Sequence, residues 1–312
     1  MTPGGIGGLA GDPGAAVAAS AVFRVAGLAG FVLLAGGGLF ACAARPAPPA
    51  DRVVRRVLGA AWATASLATL GEVLTEMVVG AGPGGLGRVP GIPAALTPPG
   101  AYGSGGWAAR LLLLAASWAL GVAGLALPDS QRLRRTVTGA TAVLLVPATA
   151  ATWVLGGRPA GAATGLRDLG VRTVHLGAVG VWLGGSVMLG CALVTSAGPG
   201  PAVSAAWRFS RIAVTSLTIW AATSSYLSWE NLGTGPLTLM TSRGQLLLAH
   251  IGGLTLLLAL DALARACVIR ARPGRHRRDR GGPQTTDRAL RVVLHRSLAA
   301  QLALGATLLL TF

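Results

Sequence analysis

The stretch VRTVHLGAVGVWLGGSVMLGCALVT, residues 171–195, decides the fold class of this chain. Residues 173–195 are mostly apolar or small, and about 20 such residues suffice to cross the hydrocarbon core of a bilayer as a helix. Backbone N–H and C=O groups in lipid must find partners within their own segment, so a spanning segment of this kind is helical. The stretch therefore predicts a transmembrane helix.

Seven further apolar blocks of similar length occur in the 312-residue chain, of which 52% is hydrophobic and 12% charged. This composition is too apolar for an ordinary soluble domain. The predicted spans are residues 18–43, 57–80, 107–127, 137–156, 173–195, 211–230, 244–267 and 292–312. The sequence thus predicts an all-α protein, a polytopic membrane bundle of eight transmembrane helices.

The arginines predict the orientation of these helices, because they cluster in every second gap between the apolar blocks. The clusters are Arg45, Arg52, Arg55 and Arg56; Arg132, Arg134 and Arg135; Arg208 and Arg211; and the arginines from Arg265 to Arg291. Short basic loops stay in the cytoplasm, so both termini are predicted outside a multi-pass protein of the cytoplasmic membrane. Residues 1–17 become an external tail and 268–291 a cytoplasmic basic loop. Topology thereby explains the net charge of +16 and argues against a nucleic-acid partner.

Two halves of the chain share a sparse pattern. Arg24 is followed twelve and thirteen residues later by Gly36-Gly37, and Arg172 is followed at the same spacing by Gly184-Gly185. One offset of 148 residues (172 minus 24) therefore relates the first predicted helix to the fifth. This indicates a weak parallel 4+4 repeat of residues 18–156 and 171–312, with a site at the interface between the halves.

Few ionisable side chains lie within the spans, and each needs a partner or a function, because a charge at mid-bilayer costs about 2.5–3.5 kcal/mol or more. The candidate metal ligands on the predicted outer side are Glu72, Glu76, His175 and His250. Imidazole suits copper, zinc, nickel or iron. The alternative is structural: the glutamates pair with Arg24 or Arg110 between helices, and each histidine is hydrogen-bonded within the bundle.

Three cysteines are weaker candidates at the predicted inner side. Cys42, Cys191 and Cys267 lie at the cytoplasmic ends of the first, fifth and seventh spans, where a reducing compartment keeps them as thiols. Thiol ligands favour Cu(I), although a membrane cysteine is more often a small packing residue. The chain has no P-loop, nucleophile elbow or HExxH motif, so we expect neither catalytic residues nor an enzyme.

Several motifs resemble one family. Thr173-Val-His175 followed by Trp182-Leu-Gly184-Gly185 resembles the His…Trp-Leu-Gly-Gly helix of the copper resistance protein D (CopD) family. Arg208-Phe209-Ser210 resembles the Arg-Phe-Ser helix opening of that family, and Thr241-Ser-Arg-Gly244 resembles its Thr-x-x-Gly helix start. The resemblance is strongest over residues 171–312. It makes Trp182, Gly184, Gly185, Arg208, Phe209 and Ser210 family-motif or packing residues.

The resemblance implies copper-ion handling at the cytoplasmic membrane, as uptake or transfer toward the cytoplasm. Copper would meet the outer candidates first and leave toward the cysteines, after delivery by a separate extracytoplasmic copper-binding donor protein. The chain departs from the family at His250, Asp261 and Gln301, where members often carry Lys, Asn and Glu.

Two other functions stay open. His175 and His250 could ligate one b-type haem axially, which would make the protein a membrane electron carrier. The protein could also be a non-transporting scaffold whose basic loop docks a partner or contacts anionic membrane lipids.

Overall fold

The computed structural model describes residues 13–44, 48–80, 106–126, 131–156, 165–195, 199–232, 242–270, 296–305 and 307. Every regular element within these ranges is a helix, which confirms the all-α prediction. Most of the predicted external tail, 1–17, and of the predicted basic loop, 268–291, lies outside the described residues.

Seven long helices and part of an eighth make up the described fold. They are α1 (Pro13–Ala44), α2 (Pro48–Gly80), α3 (Trp107–Ala126), α4 (Gln131–Gly156), α5 (Leu166–Thr195), α6 (Pro199–Leu232), α7 (Ser242–Arg270) and α8 (residues 296–305). Each helix overlaps one predicted apolar span. Three of them begin at a proline, which suits the first helical turn because its N–H groups have no intrahelical partner.

Helices α2 and α6 begin well before their predicted spans. The apolar pattern places their starts at residues 57 and 211, whereas the helices begin at Pro48 and Pro199. Arg52, Arg55 and Arg56 therefore lie on α2, and Arg208 and Arg211 lie on α6, rather than in loops. Arg45 lies outside the described residues. Hydropathy marks only the apolar part of a helix, whereas Arg and Ala are strong helix formers that extend it beyond that part.

Within the described ranges, three helices are long and apolar enough to cross a membrane, through Ala18–Ala44 of α1, Ala50–Thr75 of α2 and Leu166–Thr195 of α5. Shorter apolar helical segments occur at Trp107–Val122, Leu144–Gly156 and Ile251–Leu263. Large apolar side chains are exposed around the bundle; examples are Leu67, Leu74, Leu112, Leu144 and Leu263. Water-soluble proteins rarely expose so much apolar surface, so these features indicate a membrane protein.

Helix α5 is the central helix. It packs against α1, α2, α4 and α6. Within the apolar 18-residue stretch of each helix, 72% of α5 is buried, against 44% of α1 and 33% of α2. The largest fully buried side chains around it are Trp182, Trp220, Phe40, Phe209 and Met188. Residues on α5 are therefore held from several sides.

Helices α1 and α5 cross at their glycine pairs. A methyl group on Gly36 would collide with the backbone of Gly184 and Gly185, and one on Gly184 would collide with the carbonyl of Val32. Only glycine permits so close an approach of two backbones, as is common between membrane helices. The two glycine pairs related by the 148-residue offset thus contact each other.

Candidate functional site

A buried ion pair connects α2, α3 and α4. Nη1 of Arg110 lies 2.7 Å from Oε2 of Glu72, and the two side chains are only 3% and 13% exposed. Nη2 of Arg110 donates to the carbonyl of Thr152 at 3.1 Å, and the guanidinium lies 3.6 Å from the ring centroid of Trp153. One arginine thus bridges three helices.

The environment of Arg110 explains why a charge is tolerated there. Thr152 lies one turn before the end of α4 at Gly156, where the negative end of the helix dipole favours a cation. Glu72 supplies the opposite charge. The carboxylate of Glu72 is therefore held in an interhelical bridge with Arg110, whereas Arg24 is exposed on α1.

A second polar contact joins α5 and α6. Nδ1 of His175 lies 3.1 Å from Oγ1 of Thr223. The Thr223 hydroxyl donates to the carbonyls of Ile219 and Trp220, at 2.8 and 3.0 Å. With its hydrogen directed to a backbone carbonyl, the Thr223 hydroxyl offers a lone pair to Nδ1–H of His175. In the imidazole tautomer that carries its hydrogen on Nδ1, Nε2 carries the lone pair.

Charged side chains surround the same end of α5 and α6, beyond His175. Nε of Arg172 lies 2.7 Å from Asp168 on α5. The guanidinium of Arg167 lies 4.9 Å from the ring centroid of Tyr226, whose hydroxyl donates to the Glu230 carboxylate on α6. The partly buried His175 therefore lies one to two turns inside a charged rim.

The remaining metal candidates are placed as follows. Cys42 and Cys191 are free, partly buried thiols near the last turns of α1 and α5. The side chains of Glu76, His250 and Cys267 lie outside the described part of the structure. Among the described residues, no group of three His, Cys, Asp or Glu side chains could hold a metal ion.

Most residues of the family-like motifs are buried against neighbouring helices. Trp182 is fully buried, with its ring centroid 5.6 Å from that of Trp220. Phe209 is buried against Gly185 and meets Phe40 edge-on at 5.6 Å. Gly184 lies at the crossing of α1 and α5, whereas Arg208 is exposed and Ser210 is partly buried.

Sequence reasoning missed the partners that orient these groups, namely Thr152, Trp153 and Thr223. It also missed four buried polar atoms that have no hydrogen-bond partner in the described residues: Oγ of Ser66, Oγ1 of Thr173, Nε1 of Trp182 and Oγ of Ser224. Helical spacing gave one usable signal, since Trp182 lies seven residues after His175 and so on the same face of α5.

The comparisons with known proteins identify no relative. No protein-family model, no curated protein and no solved structure matches this chain.

Proposed function

We propose that the chain is a multi-pass protein of the cytoplasmic membrane, with eight transmembrane helices, both termini outside and two four-helix halves. Three apolar helices of spanning length and three shorter apolar segments support this arrangement. The contact of Gly36 with Gly184 supports the repeat. Equivalent residues of two parallel repeats meet near the axis that relates them.

We further propose that the protein transfers copper toward the cytoplasm, as its resemblance to the CopD family over residues 171–312 implies. The observation that carries this proposal is the bond from Nδ1 of His175 to Thr223. Metal-ligating histidines usually donate one ring N–H to a fixed acceptor, which orients the ring so that the other nitrogen binds the metal. In the tautomer with its hydrogen on Nδ1, His175 on α5 has this arrangement.

The positions of the other candidates suggest a direction for copper. His175 and Cys191 lie sixteen residues apart on α5, which corresponds to about 24 Å along a helix and so to most of the hydrocarbon core. Copper received by Nε2 of His175 would leave near Cys191 and Cys42. Because Arg110 holds Glu72, we assign the Glu72 carboxylate a structural role rather than a place on this route.

Copper binding to the purified protein tests the proposal. We expect His175→Ala to lose most of the copper retained after loading and to slow copper uptake by cells. Val174→Ala changes an exposed neighbour and is the matched control. If His175→Ala retained the copper content and the copper uptake of wild type, the proposal would be contradicted. A Soret band in the visible spectrum would instead favour the haem-binding alternative.

A further inference from the structure

At the end of the bundle that contains His175, two arginines have counter-charges within the protein. Nε of Arg172 lies 2.7 Å from Oδ1 of Asp168, and Nη1 of Arg110 lies 2.7 Å from Oε2 of Glu72. In both cases a carboxylate of the chain supplies the opposite charge. These arginines therefore need no anion from outside the protein.

Four arginines at the opposite end of the bundle differ from them. Arg52 and Arg56 of α2, and Arg208 and Arg211 of α6, are exposed, and none forms an ion pair with a carboxylate of the described residues. We call them the two exposed arginine pairs. The members of each pair are three or four residues apart and lie on one face of their helix. Like charges at this spacing repel each other, so each pair favours an anion between its guanidinium groups.

Contacts with α1 place the two exposed arginine pairs at one level of the bundle. A Cβ on Gly37 would lie 2.8 Å from Cδ2 of Leu58, and the ring centroids of Phe40 and Phe209 are 5.6 Å apart. Gly37 and Phe40 are one turn apart on α1. Leu58 follows the α2 pair by two residues, and Phe209 lies within the α6 pair. Both pairs are therefore level with the last two turns of α1.

This level lies at the edge of the predicted apolar spans. The spans in α2 and α6 begin at residues 57 and 211, so the pairs extend five and three residues beyond them (57 minus 52, 211 minus 208). Five helical residues cover about 7.5 Å. The headgroup layer on each side of the hydrocarbon core is about 5–8 Å thick. The guanidinium groups therefore lie at the depth of the lipid phosphates.

We propose that each exposed arginine pair binds the phosphate of one anionic phospholipid. Guanidinium groups donate paired N–H bonds to phosphate oxygens, and a phosphate between two arginines removes their repulsion. A lipid with net negative charge, such as phosphatidylglycerol, fits better than phosphatidylcholine, whose choline already balances its phosphate. Arg55 does not take part, because Asp51 binds it. Only the assignment of these lipids to the cytoplasmic leaflet rests on the proposed function.

Native mass spectrometry of the detergent-solubilised protein, titrated with phosphatidylglycerol, counts the lipids that stay bound. One basic residue near the membrane surface contributes about fivefold to affinity for anionic lipid, so removing two should weaken a site about 30-fold. We expect Arg52→Gln/Arg56→Gln and Arg208→Gln/Arg211→Gln each to retain one lipid fewer than wild type. The variant with all four changes should retain two fewer. Equal retention in wild type and these variants would overturn the proposal.

The wild-type protein supplies a test that needs no variant. Phosphatidylcholine at the same concentration should be retained less than phosphatidylglycerol, and equal retention of the two lipids would contradict the proposal. Inorganic phosphate should not displace phosphatidylglycerol. Displacement would show that the pairs bind a free anion and not a lipid.

Arg167→Gln/Arg172→Gln is the charge-matched control, because it removes two positive charges at the opposite end of the bundle. It should retain as many phosphatidylglycerol molecules as wild type. If it lost as many as the other double variants, net charge rather than the exposed pairs would attract the lipid, and the proposal would fail. None of these changes alters His175 or a cysteine, so copper retention should stay at the wild-type level. The lipid proposal and the copper proposal can therefore fail separately.

Discussion

Gly36 of α1 and Gly184 of α5 lie in backbone contact at the crossing of the two helices. The contact leaves no room for a Cβ atom on either residue. Because α5 also packs against α2 and α4, the crossing is one of the contacts that join the first four helices to the last four. The stability of the bundle should therefore depend on these two positions.

We predict that Gly36→Ala and Gly184→Ala each lower the free energy of unfolding by about 3 kcal/mol, the upper part of the usual range for overpacking, because the neighbouring atoms belong to the backbone. Thermal unfolding in detergent would measure the change. Gly38→Ala is the control, since a Cβ at Gly38 meets nothing within 4 Å. Equal effects at positions 36 and 38 would contradict the observed crossing.

The buried bridge between Glu72 and Arg110 predicts a large effect from removing either partner. Arg110→Leu should destabilise the protein by about 3–5 kcal/mol, because it removes one partner of a buried pair and leaves the mostly buried Glu72 carboxylate without this arginine. Glu72→Gln should also destabilise the protein, because it removes the charge that faces Arg110 at 2.7 Å. A double-mutant cycle separates the pair interaction from other effects of each change.

The control for this bridge is the exposed pair of Arg55 and Asp51, whose closest atoms are 2.6 Å apart. Such surface pairs contribute about 0–1 kcal/mol, so Arg55→Ala should change stability little. If Arg55→Ala cost as much as Arg110→Leu, the burial of the Arg110 bridge would not explain its strength.

The bond between His175 and Thr223 predicts a change in the imidazole tautomer. Thr223→Val keeps the shape of the side chain but removes the acceptor for Nδ1–H. ¹⁵N spectra of labelled histidine should then show a mixture of tautomers at His175, and copper affinity should fall about 10–100-fold, as for other residues that orient a ligand. Thr223→Ser keeps the hydroxyl and should retain both properties. A copper affinity unchanged in Thr223→Val would contradict the role of Nε2 as ligand.

The proposed orientation predicts which helix ends react with a membrane-impermeant thiol reagent in intact cells. In a variant without the native cysteines, a cysteine at exposed Trp229 or Leu166 should be labelled from outside. A cysteine at exposed Arg56 or Arg208 should be labelled only after the membrane is opened. The reverse labelling pattern would show that the helices have the opposite orientation to the proposed one.

The apolar blocks and prolines predicted the positions of the helices well. The first helix ends at Ala44 before Pro46, and the third ends at Ala126 before Pro128, as expected from the absence of a proline N–H. The starts of α2 and α6 were predicted nine and twelve residues too late (57 minus 48, 211 minus 199). The apolar part of a helix is the part suited to contact with lipid, whereas the helix itself requires only backbone hydrogen bonds. The apolar stretch and the helix therefore begin at different residues.

The candidate site was less predictable. The sequence identified Glu72, Arg110 and His175 as the polar residues that need partners, because ionisable groups are rare in apolar spans. It did not distinguish Arg110 from Arg24 as the partner of Glu72, and it left Thr223 unnoticed. Partners 38 and 48 residues apart meet only when helices pack at particular rotations.

The sequence by itself determined that this chain is helical, which segments are apolar enough to enter lipid and which glycines recur at a common spacing. These are local properties, set by residue volume, hydropathy and backbone bonding along one segment. Only the tertiary structure decided that Gly36 meets Gly184, that Arg110 neutralises Glu72 and that Nδ1 of His175 lies against Thr223. Those relationships depend on the rotation and depth of each helix against its neighbours, which result from the packing of all the helices together.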